Sequence, residues 1–178
     1  YEDTFGSVRF WDLIIYNFLK KKNIIPPPKK GAPSSRFVGA YVKEPQIGQH
    51  KWVMSFDLNS LYPHLIMQYN MSPDTHLPDK FNQDITVKQL LEGEVDITSL
   101  TNTTVTPNGA MFNIDKQGVL PELLEEIYDE RVLTKNKMIQ HRKELEDTSK
   151  EDIATRKKLE YAITAENNNQ MAKKIALN

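Results

Sequence analysis

The 178-residue sequence contains no cysteine. That absence excludes a disulfide framework and any zinc or iron–sulfur centre held by thiolates, and it fits a reducing compartment. Long apolar runs are missing as well. The richest stretch, Phe10 to Leu19, is broken by Asp12 and Asn17 and falls short of the ~20 apolar residues a membrane helix needs. Nor is there an excess of either charge, since 23 Lys or Arg stand against 24 Asp or Glu. What is present suits a globular chain. Hydrophobic residues make up 39% and charged residues 26%, enough to build a core and to exclude disordered or collagen-like classes. The ends are unusual: the sequence opens on Tyr1 rather than Met and closes on Asn178 within a helix-favouring run that has no cap. It reads as an internal piece of something longer.

The near-neutral total hides a segregation. Residues 20–51 carry eight basic residues and one acid, whereas residues 52–120 carry three basic residues and eight acids. Residues 121–178 are nearly balanced, with eleven basic and twelve acidic residues. A basic block beside an acidic one suits a protein that holds a polyanion in one place and cations in another. A Lys-rich solvated loop gives the same counts, and charge alone favours that plainer explanation.

Periodicity predicts the order helix, linker, α+β platform, helical hairpin. Phe10, Trp11, Ile14, Ile15 and Phe18 recur at helical spacing over 7–22, and Pro26, Pro27 and Pro28 are expected to stop that helix. Residues 26–36, rich in Pro, Lys, Gly and Ser, read as a linker or ordered loop. Phe37–Lys43 and Lys51–Leu58 are β-prone. Residues 60–69 read as a helix, and a shorter one is expected near Val87–Glu92. Val105–Ile114 and Gly118–Leu120 suggest a hairpin about Asp115–Gly118, with Pro121 as the first residue of the next helix. Residues 121–146 and about 153–178 form two long helical patterns separated by Asp147–Asp152, a pair expected to pack antiparallel.

Two sites carry chemistry. The run Trp52-Val-Met-Ser-Phe-Asp57 reads as a buried strand that delivers a carboxylate to its end, followed at once by a helix beginning near Ser60. An acid beside a helix start can hold a hard cation and a phosphate together, because magnesium takes few carboxylates plus substrate oxygens and helix N–H groups bind phosphate. The plainer alternative is that Asp57 only caps the helix. In the helical pair, Arg131 and Lys135 are four apart, as are Lys174 and Asn178, so each couple shares a helix face. In an antiparallel hairpin, Arg131 with Asn178 and Lys135 with Lys174 share one centre, which lies about one helical turn from the polar break, so three cations and an amide can converge on one patch. Solvated helix faces are the competing explanation.

Asp57-Leu-Asn-Ser-Leu-Tyr-Pro63 resembles the first polymerase motif, DxxSLYP, of family B DNA polymerases. Phe37-Val-Gly-Ala-Tyr-Val-Lys-Glu-Pro45 is similar to the segment joining the exonuclease and polymerase parts of that family. Thr106-Pro-Asn-Gly109 followed by Gly118-Val-Leu-Pro121 is similar to its hairpin before the fingers. Lys174-Ile-Ala-Leu-Asn178 is similar to the start of the second motif, KxxxNSxYG. The resemblance covers essentially the whole chain. It leans toward the replicative enzymes of large tailed bacteriophages through Trp11-Asp-Leu-Ile-Ile15 and Val42-Lys-Glu-Pro45. Two positions depart from the pattern, His64 and Leu65, where the family usually has Ser-Ile, and Phe37 stands where many members have Tyr.

The resemblance implies a fold and roles. The fold is α+β, a partial palm of mostly antiparallel sheet with helices followed by a two-helix fingers hairpin. Residues 1–50 become an exonuclease-to-palm connection, 51–120 a partial palm and 121–178 the fingers hairpin. Asp57 becomes the catalytic aspartate that binds two Mg2+ ions, and Leu58 lends a carbonyl to one of them. Ser60 and Leu61 offer N–H groups to the triphosphate, and Tyr62 is the gate against a 2′-hydroxyl. Arg131, Lys135, Lys174 and Asn178 grip the β- and γ-phosphates. Partners implied are primer-template DNA, deoxynucleoside triphosphates and a sliding clamp, in the host cytoplasm, with no membrane. A further carboxylate is required, and the family carries it in a DTD motif downstream of KxxxNSxYG, so the fragment alone is expected not to polymerise. The competing class is a non-catalytic nucleic-acid-binding or scaffold module, which the basic block and the long hairpin would suit. A scaffold has no need of the Asp57–Pro63 string.

Overall fold

The computed structural model describes residues 7–26, 42–81, 85–96, 98 and 100–177. Apolar spacing produces α1 (Ser7–Lys21), which buries Phe18 and Leu19. Its end is set by Asn23 rather than by the prolines. Asn23 adopts φ 55°, and the Ile24 N–H turns back to the Leu19 carbonyl at 2.9 Å, a left-handed cap that Asn tolerates well. Lys22 just beyond the helix pairs with Glu122. The linker from Pro27 to Arg36 and the β-prone Phe37–Tyr41 lie outside the described residues.

The expected buried strand at Trp52–Asp57 does not form. Residues 53–58 have no regular structure, and Trp52 and Phe56 are 97% and 86% exposed. A strand is buried only when neighbours supply a ladder and a covering face, and no described strand runs beside this segment. The helix that follows is present as α2 (Leu61–Gln68). α3 (Val87–Glu92) lies where periodicity predicted it.

The sheet is antiparallel, with β1 (His76–Lys80), β2 (Thr103–Val105) and β3 (Ala110–Asn113) in the order β1-β3-β2. Its hairpin turns earlier than expected. The run Val105–Ile114 folds on itself at Thr106-Pro-Asn-Gly109, where Gly109 takes φ 79° and its N–H reaches the Thr106 carbonyl at 2.8 Å. Asn-Gly supplies the positive φ a tight turn needs, a stronger signal than Asp115–Gly118. β1, which contains Pro78, falls where the sequence suggests no element. It is an edge strand with irregular pairing to β3, the location in a sheet where proline is tolerated.

Gly118–Leu120 is not a strand but the entry to α4 (Val119–Asp147). Pro121 is therefore the third helical residue, not the first. Its missing N–H still falls among the donors a helix leaves unpaired in its first turn, and the ring is fully buried. The start of α4 is held by a buried polar knot built on Asn70 (φ 53°). The Asn70 side-chain oxygen accepts the Gly118 N–H at 2.8 Å, and its amide donates to the Asn113 and Lys116 carbonyls at 2.6 and 2.8 Å. Asp74 accepts the Val119 N–H, and the Ser72 hydroxyl oxygen accepts that of Leu120 at 3.2 Å. A Cβ on Gly118 would lie 2.6 Å from that of Ser72, so glycine is required by proximity.

α5 (Ile153–Leu177) returns antiparallel along α4. Glu130 pairs with Lys173 at 3.0 Å, and His141 meets Glu166 at 3.0 Å. At the turn, one Arg156 nitrogen donates to the Leu145 and Thr148 carbonyls, each at 3.0 Å. Asp152 caps α5 by accepting the Thr155 N–H at 3.1 Å. The Thr155 side-chain and backbone hydrogen bonds hold its carboxyl below the ordinary 3.8. The tightest packing lies at the base of the hairpin, where Leu123, Leu124, Ala176 and Leu177 are buried. No described helix is long and apolar enough to cross a membrane.

Replacing Asn70 with Ala strands one donor and two acceptors and leaves a non-glycine residue at positive φ. We expect a stability loss of about 2–4 kcal/mol in urea unfolding, from ~1–3 kcal/mol per unsatisfied buried group less relaxation. A loss under about 0.5 kcal/mol, the scale of a surface change, would show that the knot does not hold α4.

Candidate functional site

The sequence Asp57-Leu-Asn-Ser60 turns sharply into α2. Ser60 is the helix N-cap in a left-handed conformation (φ 52°, ψ 45°), and no side chain caps the helix. Asp57 is therefore not spent as a cap, which disposes of the plainer alternative for it. The left-handed turn at a non-glycine residue stores about 1–2 kcal/mol of strain and is restrained from two directions. The Ser60 carbonyl accepts both the His64 backbone N–H at 3.2 Å and the His64 ring Nδ1–H at 2.8 Å. The Ser60 hydroxyl accepts from Arg131 Nη1 at 3.3 Å.

α2 packs on α4, and that brings Arg131 over the turn. Asp57, Leu58, Asn59, Ser60, Leu61, Tyr62, Arg131 and Lys174 line one cleft of about 350 Å³. Seven of the nine residues singled out from sequence thus meet at one site. Lys135 is exposed one turn along α4 and is not on the lining. Asn178 lies outside the described residues. Lys173 is engaged with Glu130, while the neighbouring Lys174 reaches the cleft.

The cleft is chemically one-sided. It holds one carboxylate, one guanidinium, one ammonium and the first turn of a helix whose leading N–H groups have no side-chain cap. Arg131 Nε is buried and has no hydrogen-bond partner. Buried polar groups are nearly always paired, so this nitrogen is an exception within a residue that lines the cleft. The combination suits an anion with several oxygens beside a hard cation. The lining offers one carboxylate and no imidazole or thiolate, donor chemistry compatible with a hard divalent cation. Among the described residues no group of three His, Cys, Asp or Glu side chains is placed to hold a metal ion. A larger hollow of about 460 Å³, lined by residues such as Leu65, Tyr69, Met71 and Val105, lacks charged groups for this chemistry.

Sequence reasoning missed Asn59, His64 and Tyr128. Asn59 lies on the cleft lining, inside the motif that carried Asp57 and Ser60. His64 was visible only as a departure from the Ser expected there. Tyr128, three residues before Arg131, had no signal beyond sharing its helix face.

The strain at Ser60 can be isolated by comparing two variants that both lose the hydroxyl. Ser60→Gly should be more stable than Ser60→Ala by about 1 kcal/mol in thermal or urea unfolding, because glycine adopts positive φ without penalty. Equal stabilities would mean that the turn is not strained.

Residues 6–173 match the sequence profile of DNA polymerase family B. The chain is 35% identical over 146 residues to a DNA-directed DNA polymerase of Escherichia phage RB69, covering 78% of this chain and 15% of that protein. It is 30% identical over 138 residues to the DNA-directed DNA polymerase of Enterobacteria phage T4, with the same shares covered. It is 31% identical over 149 residues to the DNA polymerase delta catalytic subunit of Oryza sativa, covering 82% of this chain and 12% of that subunit. The chain thus spans about one seventh of the length of the phage relatives it matches.

Proposed function

The chain belongs to DNA polymerase family B, and we propose that it contributes the nucleotide-binding half of the site of a DNA-directed DNA polymerase. In this reading residues 1–50 connect to the exonuclease part, 51–120 are part of the palm, and 121–178 are the fingers hairpin. The supporting observation is the cleft itself. Asp57, the uncapped start of α2, Tyr62, Arg131 and Lys174 border a single space.

The reaction is attack of a primer 3′-hydroxyl on the α-phosphorus of a deoxynucleoside triphosphate. A P–O bond forms to the primer, the bond to the bridging oxygen breaks, and pyrophosphate leaves with the charge. The chain's residues divide the work. The Ser60 and Leu61 N–H groups and the Arg131 fork take the phosphate oxygens, and Lys174 adds a point charge. Lys135 and Asn178 complete the grip. Charge placed where the leaving group gathers it lowers the barrier, because the donors are already oriented. The Tyr62 ring packs under the sugar and leaves no room for a 2′-hydroxyl. Asp57, with the Leu58 carbonyl, would hold magnesium, which would supply charge stabilisation for the phosphoryl transfer. A second carboxylate is needed from outside this stretch. For the whole protein the proposal includes primer-template DNA, a sliding clamp as partner and a role in replication in the host cytoplasm.

Two variants test this in the full-length protein by primer extension. Asp57→Ala should lower incorporation by at least about 10³-fold, the scale of losing charge stabilisation in a transition state, while DNA binding in a mobility-shift assay is retained. Near-normal incorporation would remove the metal role and favour a scaffold module. Tyr62→Ala should raise ribonucleotide incorporation relative to deoxyribonucleotide. Unchanged sugar selectivity would reject the gate.

A further inference from the structure

His64 occupies the second turn of α2 and does not line the cleft, yet it touches both elements that do. Its ring Nδ1–H donates to the Ser60 carbonyl at 2.8 Å, and since a carbonyl only accepts, the proton is on Nδ1. The same ring meets Tyr128 of α4 edge to face, with centroids 4.8 Å apart and planes at 83°. Such pairs are favourable beyond the area they bury. Tyr128 precedes Arg131 by three residues, so both lie on one face of α4. Arg131 in turn donates to the Ser60 hydroxyl at 3.3 Å. Two contacts thus join the helices, His64 with Tyr128 and Arg131 with Ser60, and their ends lie one turn apart on each helix.

We propose that His64 is a positioning residue that latches the strained Ser60 turn to α4 and so sets the distance between the α2 N–H groups and Arg131. The inference rests on the proposed nucleotide site and adds to it a determinant of nucleotide affinity. Two donor groups on separate helices chelate one polyanion only if their spacing is fixed beforehand, and fixing it removes an ordering cost from binding. The ring does two jobs. Its N–H stabilises the left-handed turn from within α2, and its face restrains α4 from outside. A serine at this position, the residue expected from the motif, can return its hydroxyl to the carbonyl four residues back but cannot reach Tyr128. Histidine therefore adds the bridge between helices to a bond that serine also makes.

The test measures nucleotide KM and kcat in the full-length protein, with amide exchange over residues 57–64 as a readout independent of activity. His64→Ala should raise KM for deoxynucleotide by about five- to tenfold, the combined scale of one hydrogen bond and one aromatic pair, with kcat within about twofold and DNA affinity unchanged. Amide exchange at position 64, whose backbone N–H donates to the Ser60 carbonyl, should accelerate. His64→Ser should recover the slow exchange but only part of the KM. Tyr128→Leu should raise KM alone, and combining it with His64→Ala should add little, as expected for residues acting as a unit. Fully additive effects, or an unchanged KM alongside a mere loss of stability, would overturn the latch. If the wild-type protein incorporates no nucleotide while His64→Ala still loosens the turn, the contact stands but the nucleotide site, and with it this role, is refuted.

Discussion

The geometry of the molecule depends on one buried side chain at the junction of helix, sheet and hairpin. Asn70 follows α2, adopts a left-handed conformation and makes three hydrogen bonds to backbone groups more than forty residues away. Two of its partners end the β3 strand and the loop beyond it, and the third is the N-cap of α4. The amide is suited to this because it carries a donor pair and an acceptor on one plane, so it can bind opposing carbonyls and an N–H together. Ser72 and Asp74 continue the same function over the next two residues. α4 therefore begins from a frame supplied by the chain segment leaving α2. Once its start is fixed, the rest of the hairpin is positioned by apolar packing at its base and by the Glu130–Lys173 and His141–Glu166 pairs along its length.

That frame places two unlike ends against one another. The start of α2 presents N–H groups and a carboxylate, and the face of α4 presents a guanidinium. The site stores its specificity in unfinished interactions: a positive-φ serine and an uncapped helix. Each has a cost in the isolated chain that a polyanion with a bound cation would offset. Function in such sites is commonly built from features that a stability-only design would remove.

Much of this was legible in the sequence, and the failures have physical causes. The helices were readable because their signals are local: apolar spacing in α1, the charged 3.6-residue pattern in α4 and α5, and the polar break between them. Asp57 to Tyr62 and Arg131 were found because a short specific string and an i,i+4 pair carry them. The strands were harder. The hairpin was displaced because Asn108-Gly109 outcompetes Gln117-Gly118 as a turn, and Gly118 is needed for close approach instead. β1 contains Pro78, whose effect depends on lying at a sheet edge. The 52–58 run has strand character, but propensity there describes a partner that the described residues do not contain. The Asn70 knot left no trace at all, since its contacts join residues far apart in sequence.

A long helix fixed at its base behaves as a lever. With about 1.5 Å of rise per residue, Arg131 stands about 20 Å from Gly118, so a tilt of about 5° there shifts it by about 1.7 Å and moves the far tip by about 4 Å. The width of the cleft is thus an angular quantity set at a distant pivot. The close approach of Gly118 to Ser72 makes that pivot stiff toward the segment leaving α2 and leaves motion away from it as the softer direction.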